Sequence, residues 1–99
     1  MLERDIEKLL VRGVKALGGI AYKFVSPGNA GVPDRIVLLP GGIVEFVELK
    51  TSTGRPTSLQ LRQTERICRL GCSVHILYGK VGVKQFLEDV EKKVKGNVV

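Results

Sequence analysis

Cysteine, histidine and aromatic residues are scarce in this chain of 99 residues. Two cysteines, Cys68 and Cys72, cannot form the disulfide framework on which small secreted domains depend. Two tyrosines, three phenylalanines and no tryptophan are too few for the stacked rings that bind single-stranded nucleic acid. No apolar run approaches the roughly 20 residues of a transmembrane helix, and no signal-peptide pattern opens the chain. We therefore expect a cytoplasmic protein with reduced thiols and no membrane partner.

The composition is that of an ordinary globular domain with an excess of basic residues. Hydrophobic residues make up 43% of the chain and charged residues 26%, which argues against disorder and against a fibrous protein. A chain of this size buries enough surface for one core, so we expect a single domain over residues 1–99. Lys and Arg number 16 against 10 Asp and Glu, a net charge of +6. This excess favours a phosphate-bearing partner, although it also fits a solvated surface.

The hydrophobic periodicity predicts three helices and four strands. Apolar residues three and four apart predict helices over residues 2–17, from 57 or 58 to about 70, and over 83–94. Alternating or β-branched runs predict strands over residues 20–25, 34–39, 43–50 and 73–78. Residues 96–99 are expected to fray. The order αβββαβα predicts an α/β fold, a small mixed sheet flanked by helices.

The turn Pro40-Gly41-Gly42 sets the register of a predicted β-hairpin. With three turn residues, the strands pair so that Asp34 lies opposite Glu48, on the same face of the sheet. Lys50 follows two residues after Glu48 and therefore points to that face as well. A two-residue turn would instead set Asp34 opposite Leu49, so the prediction depends on the turn.

Two carboxylates that face each other across a hairpin repel, and a divalent cation would offset that repulsion. Hard oxygen ligands favour Mg²⁺ or Mn²⁺. Such a cation can polarise a phosphoryl oxygen, and Lys50 can stabilise the negative charge that develops on the phosphate. The alternative is an ordinary polar end of a sheet, at which Glu48 and Lys50 are simply solvated.

The same residues resemble the PD-(D/E)XK nuclease motif, in which Pro33-Asp34 is followed by Glu48-Leu49-Lys50. A wider set of segments is similar to the VRR-NUC branch of that superfamily: Lys23-Phe24-Val25-Ser26-Pro27-Gly28, Gly31-Val32-Pro33-Asp34-Arg35, Pro40-Gly41-Gly42 and Val47-Glu48-Leu49-Lys50. The likeness covers about residues 2–90. It implies a restriction-endonuclease-like αβββαβ core, which agrees with the order predicted from periodicity. It also implies a stand-alone nuclease of a bacterium or of a phage-infected cell, related to Holliday-junction resolvases.

The resemblance implies roles for individual residues. Asp34 and Glu48 would bind Mg²⁺ or Mn²⁺, and the backbone carbonyl of Leu49 would complete the metal shell. Lys50 would be the catalytic lysine. No organic cofactor is implied.

The resemblance also implies a glutamine and an acidic residue of the first helix at the active site. Gln60 matches the glutamine, although the spacing from Thr57 to Gln60 equally predicts a capping box, and the two roles are compatible. Glu3 and Glu7 are both candidates for the helix acid. The segment Glu3-Arg4-Asp5-Ile6 fits the pattern of the family and favours Glu3. Either acid could instead be a solvated side chain of the first turn.

The remaining polar residues divide into expected DNA contacts and packing residues. The expected contacts with DNA phosphates are Lys23, Arg35, Arg55 and Arg62. His75, in the fourth strand, is expected to be packed or solvated rather than a ligand. Cys68 and Cys72 are expected to pack in the core.

These expectations combine into a structure-selective, metal-dependent DNA endonuclease that cuts four-way junctions as a homodimer. One small domain offers one metal site, and a twofold axis would supply the second. The expected interface elements are residues 73–78 and 20–25. The alternatives are a nickase or exonuclease that acts on flaps or ends, a non-catalytic DNA-binding module, and a basic structural domain that binds a protein.

Overall fold

A computed structural model describes residues 2–96 of the chain. Its elements are α1 (Glu3–Ala16), β1 (Ile20–Lys23), β2 (Arg35–Leu39), β3 (Ile43–Lys50), α2 (Ser58–Arg69), β4 (Ser73–Tyr78) and α3 (Gly79–Gly96). The predicted element order and fold class are confirmed. The expectation that residues 96–99 fray is wrong at Gly96, which is the last residue of α3, and residues 97–99 lie outside the described residues. Within residues 2–96, no helix is both long and apolar enough to cross a membrane.

The four strands form one mixed sheet in the order β1-β2-β3-β4. β2 pairs antiparallel with both β1 and β3, whereas β4 pairs parallel with β3. The parallel pairing requires a crossover connection, which α2 provides between β3 and β4. The start of β2 and the end of β3 form the open end of their hairpin, and this open end thereby lies beside the end of β4.

The hairpin of β2 and β3 has the register that the three-residue turn predicts. Arg35 pairs with Val47, one step away from Asp34 and Glu48. In the turn Pro40-Gly41-Gly42, both glycines have positive φ, of 88° and 75°, a region in which other residues are strained. The turn therefore requires glycine at these two positions, and the register that follows places Asp34 opposite Glu48.

The hydrophobic core lies between the sheet and the helices α1 and α3. Its fully or nearly fully buried members include Ile6, Leu10, Val14, Val37, Val47, Leu49, Val83, Phe86 and Val90. Gly13 allows α1 and α3 to approach closely, because a Cβ atom there would lie 2.3 Å from the side chain of Leu87. Alternate residues of β3 face this core, so Glu48 and Lys50 face the opposite side of the sheet.

Helix α2 covers only part of that opposite side. It packs mainly against β4, and none of its residues is buried. Apolar side chains of β1 and β3 on the same face stay exposed, among them Ile20, Tyr22 and Val44. Cys68 and Cys72, at the end of α2, are also exposed, so the expectation that they pack in the core is wrong. The reason is that no other element covers this end of the helix.

Several boundaries differ from the predicted ones, among them the end of β1 and the start of α3. β1 ends at Lys23 rather than at residue 25, although the Phe24 amide still donates to the Asp34 carbonyl at 2.8 Å. α3 begins at Gly79 rather than at residue 83, directly after β4. Gly79 has a φ of 63°, which turns the chain from strand into helix without an intervening loop.

Candidate active site

Asp34 lies immediately before β2, at the open end of the hairpin. Its Oδ2 accepts a hydrogen bond from the backbone amide of Leu49 at 2.9 Å. The hydrogen bond from the Phe24 amide to the Asp34 carbonyl holds the same residue from β1, and Pro33 before it is buried. The Asp34 carboxylate is therefore held by neighbours on both sides and lies against the backbone of β3.

Glu48 is the most buried charged group on the face of the sheet that α2 partly covers. Its side chain is only 3% exposed. Oε2 accepts a hydrogen bond from the Gln60 side-chain amide at 2.9 Å and lies 3.3 Å from Nζ of Lys50. Oε1 is buried and has no hydrogen-bond partner among the described residues. A buried carboxylate oxygen without a partner is costly, so this atom is poised for a ligand.

Burial, which is the larger cause, and the neighbouring charge of Asp34 together raise the pKa of Glu48 to about 7. The hydrogen bond and the positive charge of Lys50 act in the opposite direction and do not outweigh burial. Near neutral pH this carboxyl is therefore divided between its protonated and its charged form. A cation that binds there would favour the charged form.

Gln60 reaches Glu48 from the first turn of α2. Its Oε1 accepts a hydrogen bond from the backbone amide of Thr57 at 2.8 Å. The backbone amide of Gln60 donates to the Thr57 hydroxyl at 3.1 Å, which completes the predicted capping box. Its Nε2 remains free to donate to Glu48. The side chain of Gln60 thus completes the capping box and also contacts Glu48.

The loop between β1 and β2 packs against the start of α2. Gly31 has a φ of 88°, and a Cβ atom there would lie 2.7 Å from the backbone carbonyl of Leu59. Gln63 donates to the Ala30 carbonyl at 3.3 Å from the next turn of the helix. This close contact sets the position of the first turn of α2, and therefore of Gln60 above Glu48.

An open cleft of about 600 Å³ begins directly after Lys50. Its lining residues are Ser52, Thr53, Gly54, Arg55, Pro56, Leu61 and Tyr78. Tyr78 pairs with Lys50 across the parallel strands, so both side chains point to the same face. The residues that line the cleft carry a guanidinium, three hydroxyls and an aromatic ring, and that ring belongs to Tyr78, the neighbour of Lys50.

The structure separates the two candidate acids of α1. Glu7 lies 3.8 Å from Nη2 of Arg35. Glu3 is exposed and forms no ion pair among residues 2–96. Arg35 also donates from Nη1 to the Ala21 carbonyl at 3.1 Å. Of the two acids, Glu7 therefore has a structural partner and Glu3 has none.

The four basic residues expected to contact DNA lie in three places. Lys23 is exposed at the end of β1 and pairs with Arg35 across the sheet. Arg55 lines the cleft beside Lys50, and Arg62 is exposed on α2. The structure thus places Arg55 in the cleft that Tyr78 also lines, and it places Lys23 and Arg35 on the side of the sheet that α1 covers.

Comparison with known proteins identifies relatives of the chain. A phage protein named "Putative nuclease p44", from Acyrthosiphon pisum secondary endosymbiont phage 1, is 55% identical over 75 residues, which cover 76% of this chain and 81% of that protein. A solved structure described as a VRR_NUC domain has a TM-score of 0.82 at 33% identity. The match covers 87% of this chain and 94% of the chain in that structure. No family model matches the chain. This chain belongs to the VRR-NUC family of nucleases.

In this VRR-NUC nuclease the polar groups at the open end of the hairpin fit a hard divalent cation. Within residues 2–96, no three or more His, Cys, Asp and Glu side chains are grouped as metal ligands. The chain would therefore offer two carboxylates, Asp34 and Glu48, and the main-chain carbonyl of Leu49. Mg²⁺ is usually held by one or two carboxylates and keeps several waters. The unpartnered Oε1 of Glu48 is the atom that supports this fit.

A buried acid on the core side of β3 was missed from the sequence. Glu45 is 1% exposed and accepts hydrogen bonds from Lys93 and from His75, the latter at 3.3 Å. Burial alone would raise the pKa of Glu45, but the hydrogen bonds from Lys93, His75 and Ser73 lower it below its usual value. The sequence contained a signal for this burial, because Glu45 lies two residues before Val47 and therefore points to the same, core-facing side of β3. This VRR-NUC chain therefore has a second charged cluster, on the face opposite Glu48.

Proposed function

We propose that this nuclease hydrolyses phosphodiester bonds in DNA and requires Mg²⁺ or Mn²⁺. The observation that carries the proposal is the environment of Glu48, a buried carboxylate with an unpartnered oxygen, beside Asp34 and 3.3 Å from Lys50. The two acids repel each other in the metal-free site, the single ammonium of Lys50 offsets this only in part, and a bound cation would offset the rest. Phosphoryl transfer is a reaction that such a cation assists.

Each group of the site has a separate role in the proposal. Asp34, Glu48 and the Leu49 carbonyl would hold the cation, which would polarise a phosphoryl oxygen and make water a better nucleophile. Lys50 would stabilise the negative charge that develops on the phosphate. Gln60 would keep the Glu48 carboxylate oriented through its hydrogen bond of 2.9 Å.

The basic residues and the helix acid would position the substrate. Arg55, in the cleft beside Lys50, is the strongest candidate for a phosphate contact near the cleaved bond. Arg62 would contact DNA that extends over α2. Glu3 is the preferred helix acid, since Glu7 already faces Arg35.

We further infer that two copies of the chain pair to cut four-way junctions. The apolar face of β1 and β3 supports this step, because Ile20 is 49%, Tyr22 55% and Val44 45% exposed. A second copy that covers this face would remove it from water and would supply the second site that a junction requires. Of the two expected interface elements, residues 20–25 belong to this face, whereas residues 73–78 form the other edge of the sheet.

A cleavage panel tests these proposals together. The substrates are labelled four-way junctions, forks, flaps and linear duplexes, each with Mg²⁺, with Mn²⁺ or with EDTA. We expect paired cuts in junctions with either metal and none in EDTA. Glu48→Gln should lose most of the rate, whereas Glu88→Gln, on the exposed side of α3, should retain it.

Each other outcome selects an alternative. Binding of DNA without cleavage in either metal would indicate a non-catalytic module. Preferred cleavage of flaps or ends would indicate a nickase or an exonuclease. A mass near that of one 10.8 kDa chain in light scattering, with single nicks in junctions, would contradict the dimer.

A further inference from the structure

Four basic side chains lie along one side of α1. Arg4, Lys8, Arg12 and Lys15 follow one another at spacings of four, four and three residues, so they line up on one helix face. All four are exposed, and none forms an ion pair within residues 2–96. We call these four residues the α1 basic stripe. The sequence-based prediction of DNA contacts included none of them.

Some basic residues on the other two helices have an acidic partner one turn away. On α2, Arg69 pairs with Glu65, and on α3, Lys95 pairs with Glu91 at 3.4 Å, both at a spacing of four residues. On α1 the corresponding neighbours repel, because Arg4, Lys8 and Arg12 are all positive. A helix that retains such a row gains stability when an anion with regularly spaced charges binds along it.

The stripe borders two neighbouring clefts between α1 and the sheet, which we together call the groove. A cleft of about 250 Å³ is lined by Arg4, Glu7, Lys8, Val11, Arg12 and Arg35. A second cleft of about 220 Å³ shares Val11 and continues past Lys15 to Ile20 and Ala21. Glu7 is the only acid that lines either cleft.

Arg35 adds a buried donor to this groove. Nη1 donates to the Ala21 carbonyl, and Nη2 lies 3.8 Å from Glu7. Nε is buried and has no hydrogen-bond partner among the described residues. An unpaired buried guanidinium N–H indicates that the site accommodates a further acceptor, such as a phosphate oxygen.

The groove begins next to the candidate active site. Arg35 follows Asp34 directly and points to the opposite face of β2, so the groove starts at the open end of the hairpin. From there the stripe extends over 11 residues of helix, or about 16 Å. One strand of duplex DNA rises about 3.4 Å per nucleotide, so this length spans roughly five base pairs.

We propose that the α1 basic stripe and Arg35 bind the phosphate backbone of a duplex arm that leaves the cleaved position along α1. The inference rests on the proposed function and adds a second DNA contact surface, on the side of the sheet away from Arg55 and Arg62. Its regular row of exposed cations fits an evenly spaced polyanion. The surface contacts backbone only, so it contributes affinity for duplex arms and no sequence preference.

The test compares two variants with the same change of charge. The stripe variant carries Arg4→Gln, Lys8→Gln and Arg12→Gln. The control carries Lys84→Gln, Lys92→Gln and Lys95→Gln, on the exposed side of α3. Both are made in the full chain with Glu48→Gln, so that the bound DNA stays intact. The measurement is the affinity for a 30-base-pair duplex by fluorescence anisotropy, between 50 and 200 mM salt.

We expect the salt dependence to separate the two variants. Three lost phosphate contacts lower the slope of log affinity against log salt by about 2.7, from about 0.9 per contact. The parent should therefore lose about 40-fold more affinity than the stripe variant over this fourfold salt range. The control should keep the parental slope. Equal slopes in stripe variant and parent, or equal losses in both variants, would overturn the inference.

Two further measurements keep the result unambiguous. The stripe variant should unfold at a temperature no lower than the parent, since its repulsion is relieved. In the chain with Glu48 intact, the stripe substitutions should slow cleavage of substrates with long arms more than of those with arms shorter than five base pairs. If the unsubstituted protein cuts no DNA, the proposed function fails. If it cuts DNA and the stripe variant binds and cuts equally well, only the stripe inference fails.

Discussion

The side chain of Gln60 connects the cap of helix α2 to the buried carboxylate of Glu48. Its carbonyl oxygen accepts from the Thr57 amide at 2.8 Å, while its amide nitrogen donates to Glu48 Oε2 at 2.9 Å. One planar group thus satisfies a free donor at the helix end and orients the carboxylate that we assign to the metal. The position of α2 and the geometry of the site are therefore coupled.

Gln60→Ala should reduce cleavage and stability together. Loss of a hydrogen bond that orients a metal ligand typically costs 10–100-fold in metal affinity or activity, and we expect a rate loss in that range. Thr57→Ala is the control, because it removes the capping hydroxyl and leaves the Gln60 amide. It should destabilise the protein by about 1 kcal/mol and leave the cleavage rate within twofold. The measurements are cleavage rate and urea unfolding. Equal rate losses in both variants would show that Gln60 acts through the cap alone.

The pKa of Glu48 predicts how the stability of the metal-free protein depends on pH. The folded-state pKa is raised to about 7 from 4.5, so the folded state holds the proton more tightly than the unfolded state. Stability from this group is complete below about pH 4.5 and is lost as the pH rises through 7. The loss is at most about 3 to 4 kcal/mol, from about 1.4 kcal/mol per pKa unit.

Urea unfolding in EDTA at several pH values measures this effect. The parent should become less stable between pH 5 and pH 8, and Glu48→Gln should show a smaller decrease, since it removes the titrating group. Mg²⁺ or Mn²⁺ should stabilise the parent more at pH 8 than at pH 5, because the cation binds the charged carboxylate. The same decrease in parent and variant would assign the pH dependence to another group.

Asp34→Asn should weaken metal binding while the fold persists. Asparagine keeps a side-chain oxygen that can accept from the Leu49 amide, so the hydrogen bond of 2.9 Å in the parent has a replacement. The variant loses one of the two negative charges that we propose to hold the cation. Titration calorimetry with Mn²⁺ should give an affinity at least tenfold lower. Asp89→Asn, exposed on α3, should bind Mn²⁺ like the parent. Parental affinity in Asp34→Asn would place the metal elsewhere.

Gly31→Ala should disturb the site from a distance. Gly31 and Gly28 both have positive φ, of 88° and 80°, so alanine strains the backbone at either position. Only at Gly31 would the new Cβ atom also collide, at 2.7 Å from the Leu59 carbonyl, whereas nothing lies within 4 Å at Gly28. We expect both variants to lose about 1 kcal/mol from φ, and Gly31→Ala to lose more.

The cleavage rate distinguishes the two glycines. The collision at Gly31 pushes the first turn of α2, and Gln60 with it, away from Glu48, so cleavage should fall. Gly28→Ala should cleave like the parent once its stability is taken into account. Assays well below the unfolding temperature of each variant make this comparison. A parental rate in Gly31→Ala would show that the loop does not position the helix.

The sequence by itself determined the hairpin and the acids on it. With the three-residue turn Pro40-Gly41-Gly42, the period of two along a strand places Asp34, Glu48 and Lys50 on one face. These relationships are local, because they depend only on two neighbouring strands and on the short turn between them. The order of the helices and strands followed in the same way from periodicity.

Only the tertiary structure decided which distant groups meet. The placement of Gln60 against Glu48, and of Tyr78 beside Lys50, depends on how α2 and β4 dock on the sheet. Cys68 was wrongly predicted to pack in the core. It is exposed because, among the described residues, no element covers the outer side of α2. Residues far apart in the chain come together when helices and strands pack, and their spacing in the sequence does not determine which of them meet. The hairpin could therefore be predicted from its turn, whereas the environment that buries Glu48 required the fold.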